Sequence, residues 1–305
     1  MVKVKSENKS KFDTIKSLDS FVVHFLPFLP DKLYLSLRYR CRMGHWIDWK
    51  HPKTFTEKLQ WLKLYNRKPE YTKMVDKYAV KDYVSGVIGP EYIIPTIGVW
   101  NKPEEIDWDS LPNQFVLKTT HGGGGGGVVI CKDKETFNND EAIVKLNHSL
   151  KADIYRGFRE WPYKNVPKRI IAERFMTSEQ SGDTESLLDY KFFCFNGKVK
   201  FYKVDFGRFV EHHANYYSPE GNLLPFGEQG LEPDFNYPIK LPSNLDEMIS
   251  IAERISQGEP FLRVDLYNIN GKIYFGEITF FPGSGLLPWT HKETDVEIGQ
   301  YLEIR

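Results

Sequence analysis

The sequence carries no net charge: 41 lysines and arginines are balanced by 41 aspartates and glutamates in 305 residues. Without a basic field there is no long-range pull on nucleic acid, so nucleic acid is not an expected partner. Cysteine is scarce. Cys41, Cys131 and Cys194 are odd in number and far apart, with no CxxC pair and no metal-ligand spacing. They read as reduced thiols of a cytoplasmic protein rather than a disulfide framework. Long apolar runs are absent as well. A membrane span takes about 20 apolar residues, whereas Phe21–Leu29 contains His24 and Pro27, and Met1–Lys16 is polar and lysine-rich. Neither a transmembrane span nor a secretory signal is expected. No internal repeat, long low-complexity linker or GxxxxGK[ST] phosphate loop is present.

What the chain does have is apolar material, 41% of its residues, and a length that suits two or three packed lobes. Residues 1–75 read mostly as helix. Thr54-Phe55-Thr56-Glu57 is a capping signature, with Thr54 or Thr56 as the cap, and Leu59, Leu62 and Tyr65 follow at helical spacing. A second helix is predicted from Tyr71 to Val84, ended by Gly86, Gly89 and Pro90. Near the start, Phe21, Phe25, Phe28 and Leu33 lie close to Lys32, Arg38, Arg40 and Arg42. That segment reads as a helix packed on the body with a solvated basic face, or as a peripheral dock on an anionic membrane. Strand patterns cover Tyr92–Thr96, Gln114–Thr119, Val128–Cys131 and Arg169–Met176, and Glu135–Leu150 and Leu245–Gln257 read as helices. Two hairpins are predicted, Tyr190–Phe195 with Lys198–Val204 about Asn196-Gly197, and Phe261–Asn268 with Lys272–Thr279 about Asn270-Gly271. The fold class is α+β, helices packed on antiparallel sheets.

Three constellations carry chemistry. The strand ending in Lys118 leads into six glycines, Gly122, Gly123, Gly124, Gly125, Gly126 and Gly127. Glycine N–H groups can approach a phosphate chain closely and a lysine adds a point charge; the plainer reading is a flexible turn. The second is Arg263-Val264-Asp265 and Glu277-Ile278-Thr279. With the turn at 270–271, Asp265 and Glu277 fall side by side across the ladder. Opposed like charges destabilise a hairpin unless a cation lies between them, and two carboxylates plus phosphate oxygens suit Mg²⁺. Arg263 shares the face of Asp265. The third, Ile170 to Met176, ends in Glu173, Phe175 and Met176, a carboxylate and backbone groups able to meet an adenine edge, or a core strand with an exposed glutamate.

The order of these pieces resembles the ATP-grasp superfamily, which includes D-alanine–D-alanine ligase, and more closely its TupA-like branch, found in bacterial surface-polysaccharide gene clusters. The resemblance rests on Asp76-Lys77-Tyr78-Ala79-Val80, the Thr54 to Leu62 segment, Asp189-Tyr190-Lys191-Phe192 and Arg263-Val264-Asp265-Leu266-Tyr267, and runs from about Leu29 to His291. It implies two antiparallel-sheet lobes that clasp ATP, with a helical N-terminal region. The expected divisions are 1–75, helical; 76–110, connecting; 111–172, the glycine-loop lobe; and 173–305, the metal and substrate lobe.

It further implies that Lys77 and Lys118 hold ATP phosphates. Glu173, Phe175 and Met176 would meet adenine, and Asp189 the ribose. Asp265, Glu277 and Thr279 would hold Mg²⁺, Thr279 standing where the family often has Asn. Arg263 would stabilise charge as an acyl phosphate is attacked. Substrate contacts are expected from Gly283, Ser284 and Gly285 and from Arg208, His212, His213 and Asn215. The implied reaction joins a carboxylate to an amine. The acid would be a uronic-acid sugar, free, nucleotide-linked or within a polysaccharide. A kinase on the same fold, and a glycosyltransferase or accessory protein of a surface-glycan pathway, are the competing readings.

Overall fold

A computed structural model describes residues 18–123, 126–177, 187–207 and 211–304. In the N-terminal region the described residues form helices at 18–25, α1 (Asp31–Met43), α2 (Phe55–Tyr65) and α3 (Tyr71–Val75); residues 1–17 of the expected helical region lie outside the described residues. Thr54, not Thr56, caps α2. Its hydroxyl accepts from the Glu57 N–H at 3.2 Å while the Glu57 carboxylate accepts from the Thr54 N–H. The Thr56 hydroxyl donates instead to Asp295 on α8 (Lys292–Tyr301), at 2.6 Å, and so ties α2 to α8.

The predicted helix from Tyr71 to Val84 is broken. α3 stops at Val75 and α4 runs Ala79–Ile88. Asp76 leaves the helical region, with ψ 112°, and its Oδ1 accepts from the N–H groups of Tyr78 and Ala79 at 2.9 and 3.3 Å. It does for α4 what an N-cap does. Its other oxygen accepts from Arg169 at 2.7 Å. Lys77 therefore lies in a kink, and its own N–H bonds to the Thr120 carbonyl at 3.0 Å.

The first sheet has the order β1-β4-β2-β3, all antiparallel, from β1 (Thr96–Trp100), β2 (Phe115–Thr119), β3 (Val128–Cys131) and β4 (Ile170–Arg174). The strand predicted at Tyr92–Thr96 starts only at Thr96; Pro90–Tyr92 is a 3-10 turn, and Pro95 has no N–H for a ladder. α5 (Asn139–Leu150) begins later than predicted because Asn138 caps it, accepting from the Glu141 N–H. It covers one face, where Phe115, Leu117, Val129, Cys131, Ile170 and Ala172 meet Ala142 and Leu146. Since side chains alternate, Val116, Lys118, Ile171 and Glu173 occupy the other face. The segment 76–110 contributes β1 to this sheet, and the expected division at 172/173 falls inside β4.

The second sheet has the order β7-β6-β5-β8-β9, from β5 (Asp189–Phe195), β6 (Lys198–Phe206), β7 (His213–Tyr217), β8 (Phe261–Ile269) and β9 (Lys272–Thr279). The short helix α6 (Ile154–Phe158) precedes it and α7 (Leu245–Ile255) packs on it, burying Met248, Ile251, Ala252 and Ile255. The turns at Asn196-Gly197 and Asn270-Gly271 have positive φ at both residues, the geometry that matches strand twist. Two antiparallel sheets with packed helices are the predicted α+β architecture. No helix among the described residues is long and apolar enough to cross a membrane.

Asp76→Ala removes a buried cap and leaves Arg169 unpaired. It should lower unfolding stability by about 2 kcal/mol, measured by urea denaturation. Asp76→Asn keeps an acceptor for Tyr78 and Ala79 and should lose less.

Candidate active site

One face of the second sheet carries a charged row. Lys203, Lys191, Asp265 and Glu277 stand in register on β6, β5, β8 and β9. The expected pairing of Asp265 with Glu277 is observed, and it depends on a bulge. Leu266 faces Phe275 but Asp265 faces Glu277, so Gly276 is the extra residue. A Cβ on Gly276 would stand 3.0 Å from the Asp265 carbonyl oxygen, so glycine is what allows the close approach.

Like charges lie side by side in this row, and opposite charges from this and neighbouring rows offset them. Arg263 grips Asp265 with two N–H groups at 2.7 Å each and reaches Glu277 at 3.2 Å and the Thr279 hydroxyl at 3.0 Å. Lys191 donates to Asp265 at 2.8 Å, contacts Asp189 and lies 3.4 Å from Asp205. Lys203 pairs with Glu228 and with Asp205. Burial alone would push Glu277 up, but Lys77, Arg263 and Lys191 together hold its carboxyl well below the usual range. Burial pushes Asp265 up against the pull of Arg263 and Lys191.

The facing side comes from the kink and the first sheet. Lys77 donates to Glu277 at 3.1 Å. Lys118 lies 2.6 Å from one oxygen of Glu173, and Lys81 lies 2.6 Å from the other. Lys81 was missed in the sequence; its position one helical turn after Lys77 was the available signal. Glu173 is thus committed to two lysines in this structure. Phe175 and Met176 leave β4 as partly exposed coil. Gly122 and Gly127 do not have positive φ. They are small because a Cβ on either would collide with the Thr119 hydroxyl, and Gly127 also with Ser149. Gly123 and Gly126 meet nothing within 4 Å. Gly124, Gly125 and Arg208 lie outside the described residues.

The expected substrate residues separate. His212 joins the charged face, its Nε2 being 3.7 Å from Asp205. His213 and Asn215 pair with Phe206 and Val204, which puts them on the opposite face from Lys203 and Asp205. There His213 bonds the Glu232 carbonyl, and Asn215, fully buried, donates to the Asp234 carbonyl at 2.7 Å. Gly283, Ser284 and Gly285 form a turn with φ between 52° and 61°. Gly283 is exposed, but Ser284 and Gly285 are buried against α2 and held by Gln60 and Lys63.

The model of the TupA-like ATP-grasp family matches residues 57–303. The chain belongs to that family. Its residues Lys77, Lys118, Glu173, Asp189, Arg263, Asp265 and Glu277 all fall within the match. No curated protein matches the sequence. Three ATP-grasp ligases are among the solved structures the chain is similar to. The D-alanine–D-alanine ligase of Bacillus anthracis is 17% identical over 69% of this chain and 58% of its own, with a TM-score of 0.40. That of Helicobacter pylori is 16% identical over 82% and 69%, with a TM-score of 0.43. The ATP-grasp ligase PsnB, complexed with a minimal precursor, is 12% identical over 82% and 64%, with a TM-score of 0.39. This chain thus spans under two thirds of the Bacillus anthracis and PsnB enzymes.

The residues present suit MgATP. The Asp265–Glu277 pair needs a cation, and the Arg263 guanidinium already stands between the two carboxylates. With the Thr279 hydroxyl they form a hard oxygen set of the kind Mg²⁺ takes. Among the described residues, no three His, Cys, Asp or Glu side chains are grouped to hold a metal ion, so this pair would draw the rest of a cation's shell from phosphate oxygens. The lysines opposite have the sign for phosphates.

The Glu173 pair has a pH signature. Burial would raise Glu173, but Lys118 and Lys81 outweigh it and hold the carboxyl below its ordinary value of 4.5. A carboxyl held low in the fold stabilises it above its unfolded pKa and ceases to as pH falls through the folded one. Glu173→Gln should therefore be less stable than wild type near neutral pH. The difference should shrink as pH drops below about 4.5, measured by urea midpoints across that range.

Proposed function

We propose that this protein is an ATP-dependent ligase that joins a carboxylate to an amine through an acyl phosphate. The observation that carries the reading is the in-register Asp265–Glu277 pair with Arg263 between them, facing Lys77, Lys81 and Lys118. When bound, MgATP supplies the phosphoryl group that activates the carboxylate. The chain supplies preorganised charge. Lys77 and Lys118 meet phosphate oxygens, with Lys81 behind them holding Glu173 in place. Asp265, Glu277 and Thr279 hold the cation. Phe175 and Met176 offer backbone groups to adenine, and Asp189 takes the ribose once Lys191 yields it. Arg263 is charged at any working pH, since its carboxylate partners raise its pKa further. It stabilises the oxyanion that forms when the acyl carbon is attacked.

The carboxylate in this reading belongs to a uronic-acid sugar of a capsule or other surface polysaccharide, and the amine to an amino acid or amino alcohol. Support for the sugar is the resemblance to a branch found in surface-polysaccharide gene clusters. The kinase alternative leaves Arg263 without a developing oxyanion at carbon to stabilise. Incubation of the protein with MgATP and pooled uronic acids and amines separates the two. Amide product with ADP is expected; a stable phosphorylated product without amide overturns the ligase. Asp265→Asn and Glu277→Gln should each reduce turnover by about 100-fold or more while keeping the fold, measured by ADP release at low Mg²⁺.

The working location in this reading is the cytoplasmic face of an anionic membrane. Leu18, Phe21 and Phe25 lie at helical spacing on the helix of residues 18–25, Phe28 follows in the turn after it, and each is more than half exposed. Exposed Lys32 and Arg40 follow on α1, and the sequence before that helix is lysine-rich. The protein should cosediment with phosphatidylglycerol vesicles at low salt and not with phosphatidylcholine ones. Phe25→Ser with Phe28→Ser should abolish this; unchanged sedimentation removes the membrane from the reading.

A further inference from the structure

The β7 edge of the second sheet holds a histidine–carboxylate pair beside the charged row. Asp205 on β6 faces Ala214 on β7, so His212, two residues before Ala214, stands on the face that carries Asp205, Lys203 and Lys191. Gly207 brings the two strands together there. Its φ is 67°, and a Cβ on it would stand 2.3 Å from the Glu211 carbonyl oxygen, so the chain returns past the end of β6 at a distance that glycine permits. His212 Nε2 then lies 3.7 Å from Asp205 Oδ1.

Measured contacts tie this pair to the centre of the row. The Lys191 ammonium lies 3.4 Å from the other oxygen of Asp205 and 2.8 Å from Asp265. One ammonium therefore separates the carboxylate beside His212 from the carboxylate that Arg263 grips. His212 and Glu277 flank the row on opposite sides, one at β7 and the other at β9. A primary amine is mostly an ammonium at neutral pH and cannot attack carbon until a proton is removed. Asp205 and Asp189 are 2% and 4% exposed and face Lys191, and Asp265 and Glu277 serve the cation in the ligase reading. The His212 side chain is 41% exposed. Imidazole is also the side chain whose ordinary pKa lies nearest neutrality, which suits it to accept that proton. Asp205, held by Lys191 and by Lys203 at 3.6 Å, fixes the ring and offsets the imidazolium that forms.

We propose that His212 is the general base for the amine co-substrate and that Asp205 is its positioning residue. The inference rests on the ligase reading. His212 takes one proton from the entering ammonium, and the freed nitrogen pair forms the C–N bond at the acyl carbon. The bond from that carbon to the phosphate oxygen breaks, and phosphate leaves with its electron pair. A second N–H proton goes to phosphate, and the imidazolium returns its own to water.

Hydroxylamine separates this role from the rest of the machinery, because it is uncharged at neutral pH and attacks an acyl phosphate without a base. The full chain is given MgATP and the pooled uronic acids, with either the pooled amines or hydroxylamine. His212→Ala should lower the amide rate at saturating amine by about 100-fold or more, keep the hydroxamate rate, and regain amide formation when imidazole is added. His212→Gln, which keeps a polar group beside Asp205, should show the same split. Asp205→Asn should lower the amide rate less and spare the hydroxamate, a split that a folding defect does not give. An unchanged amide rate in the His212 variants, or equal loss of both products in both of them, overturns the base role and leaves the ligase standing. Wild-type protein that forms neither hydroxamate nor amide overturns the ligase, and the base role with it.

Discussion

Two carboxylates on adjacent strands, Asp265 and Glu277, are forced side by side by the β8–β9 register, and their mutual repulsion organises what surrounds them. Water cannot relieve Asp265, which is 2% exposed, although it reaches the Glu277 side chain. The chain answers with cations from three directions: Arg263 from the same strand, Lys191 from the next, and Lys77 from the kink before α4. Each of those cations then needs its own support. Lys191 is balanced by Asp189 and Asp205, Asp205 in turn meets Lys203, and Lys203 meets Glu228. The charged face is therefore one network, and removing a single member leaves a buried charge unpaired rather than deleting one contact.

Such a network costs stability, and the aromatic packing below it offsets that cost. Phe193, Phe201 and Phe261 share the face of the charged row; Phe193 stacks on Phe201, and tilted or edge-on contacts join them to Phe261, Tyr216 and Trp289. Each fully buried ring contributes about 2–3 kcal/mol of transfer free energy. On the reverse face α7 supplies an aliphatic cover. The sheet can thus present charge toward the cleft while both of its ends are anchored in apolar contact.

The sequence made the hairpins legible because Asn270-Gly271 and Asn196-Gly197 set register locally. From the first of these, counting brings Asp265 to within one residue of Glu277, and the bulge at Gly276 completes the pairing. What it hid was non-local. Lys191 meets Asp265 only because β5 lies beside β8, across more than sixty residues that give no hint of strand order. Lys63, Phe158 and Ser284 meet from three distant segments. The break at Asp76 was missed for another reason: Met74, Val75, Tyr78 and Val84 continue the apolar pattern through it, and the cap that ends the helix was present but outvoted. The separation of His212 from His213 was readable in principle, since adjacent residues at the start of a strand point to opposite faces.

Lys77 spans the two halves of the molecule with one residue. Its backbone N–H is held by Thr120 beyond the end of β2, and its ammonium by Glu277 on β9, at 3.0 and 3.1 Å. The residue works as a tie rod whose length is fixed by one lysine side chain. Opening the cleft by more than an ångström or so must break one of those two bonds, and the backbone bond is the better protected because it is coupled to the cap at Asp76. Any cation that takes over Glu277 loosens the other end. The spacing between the sheets is in this way mechanically linked to what occupies the carboxylate pair.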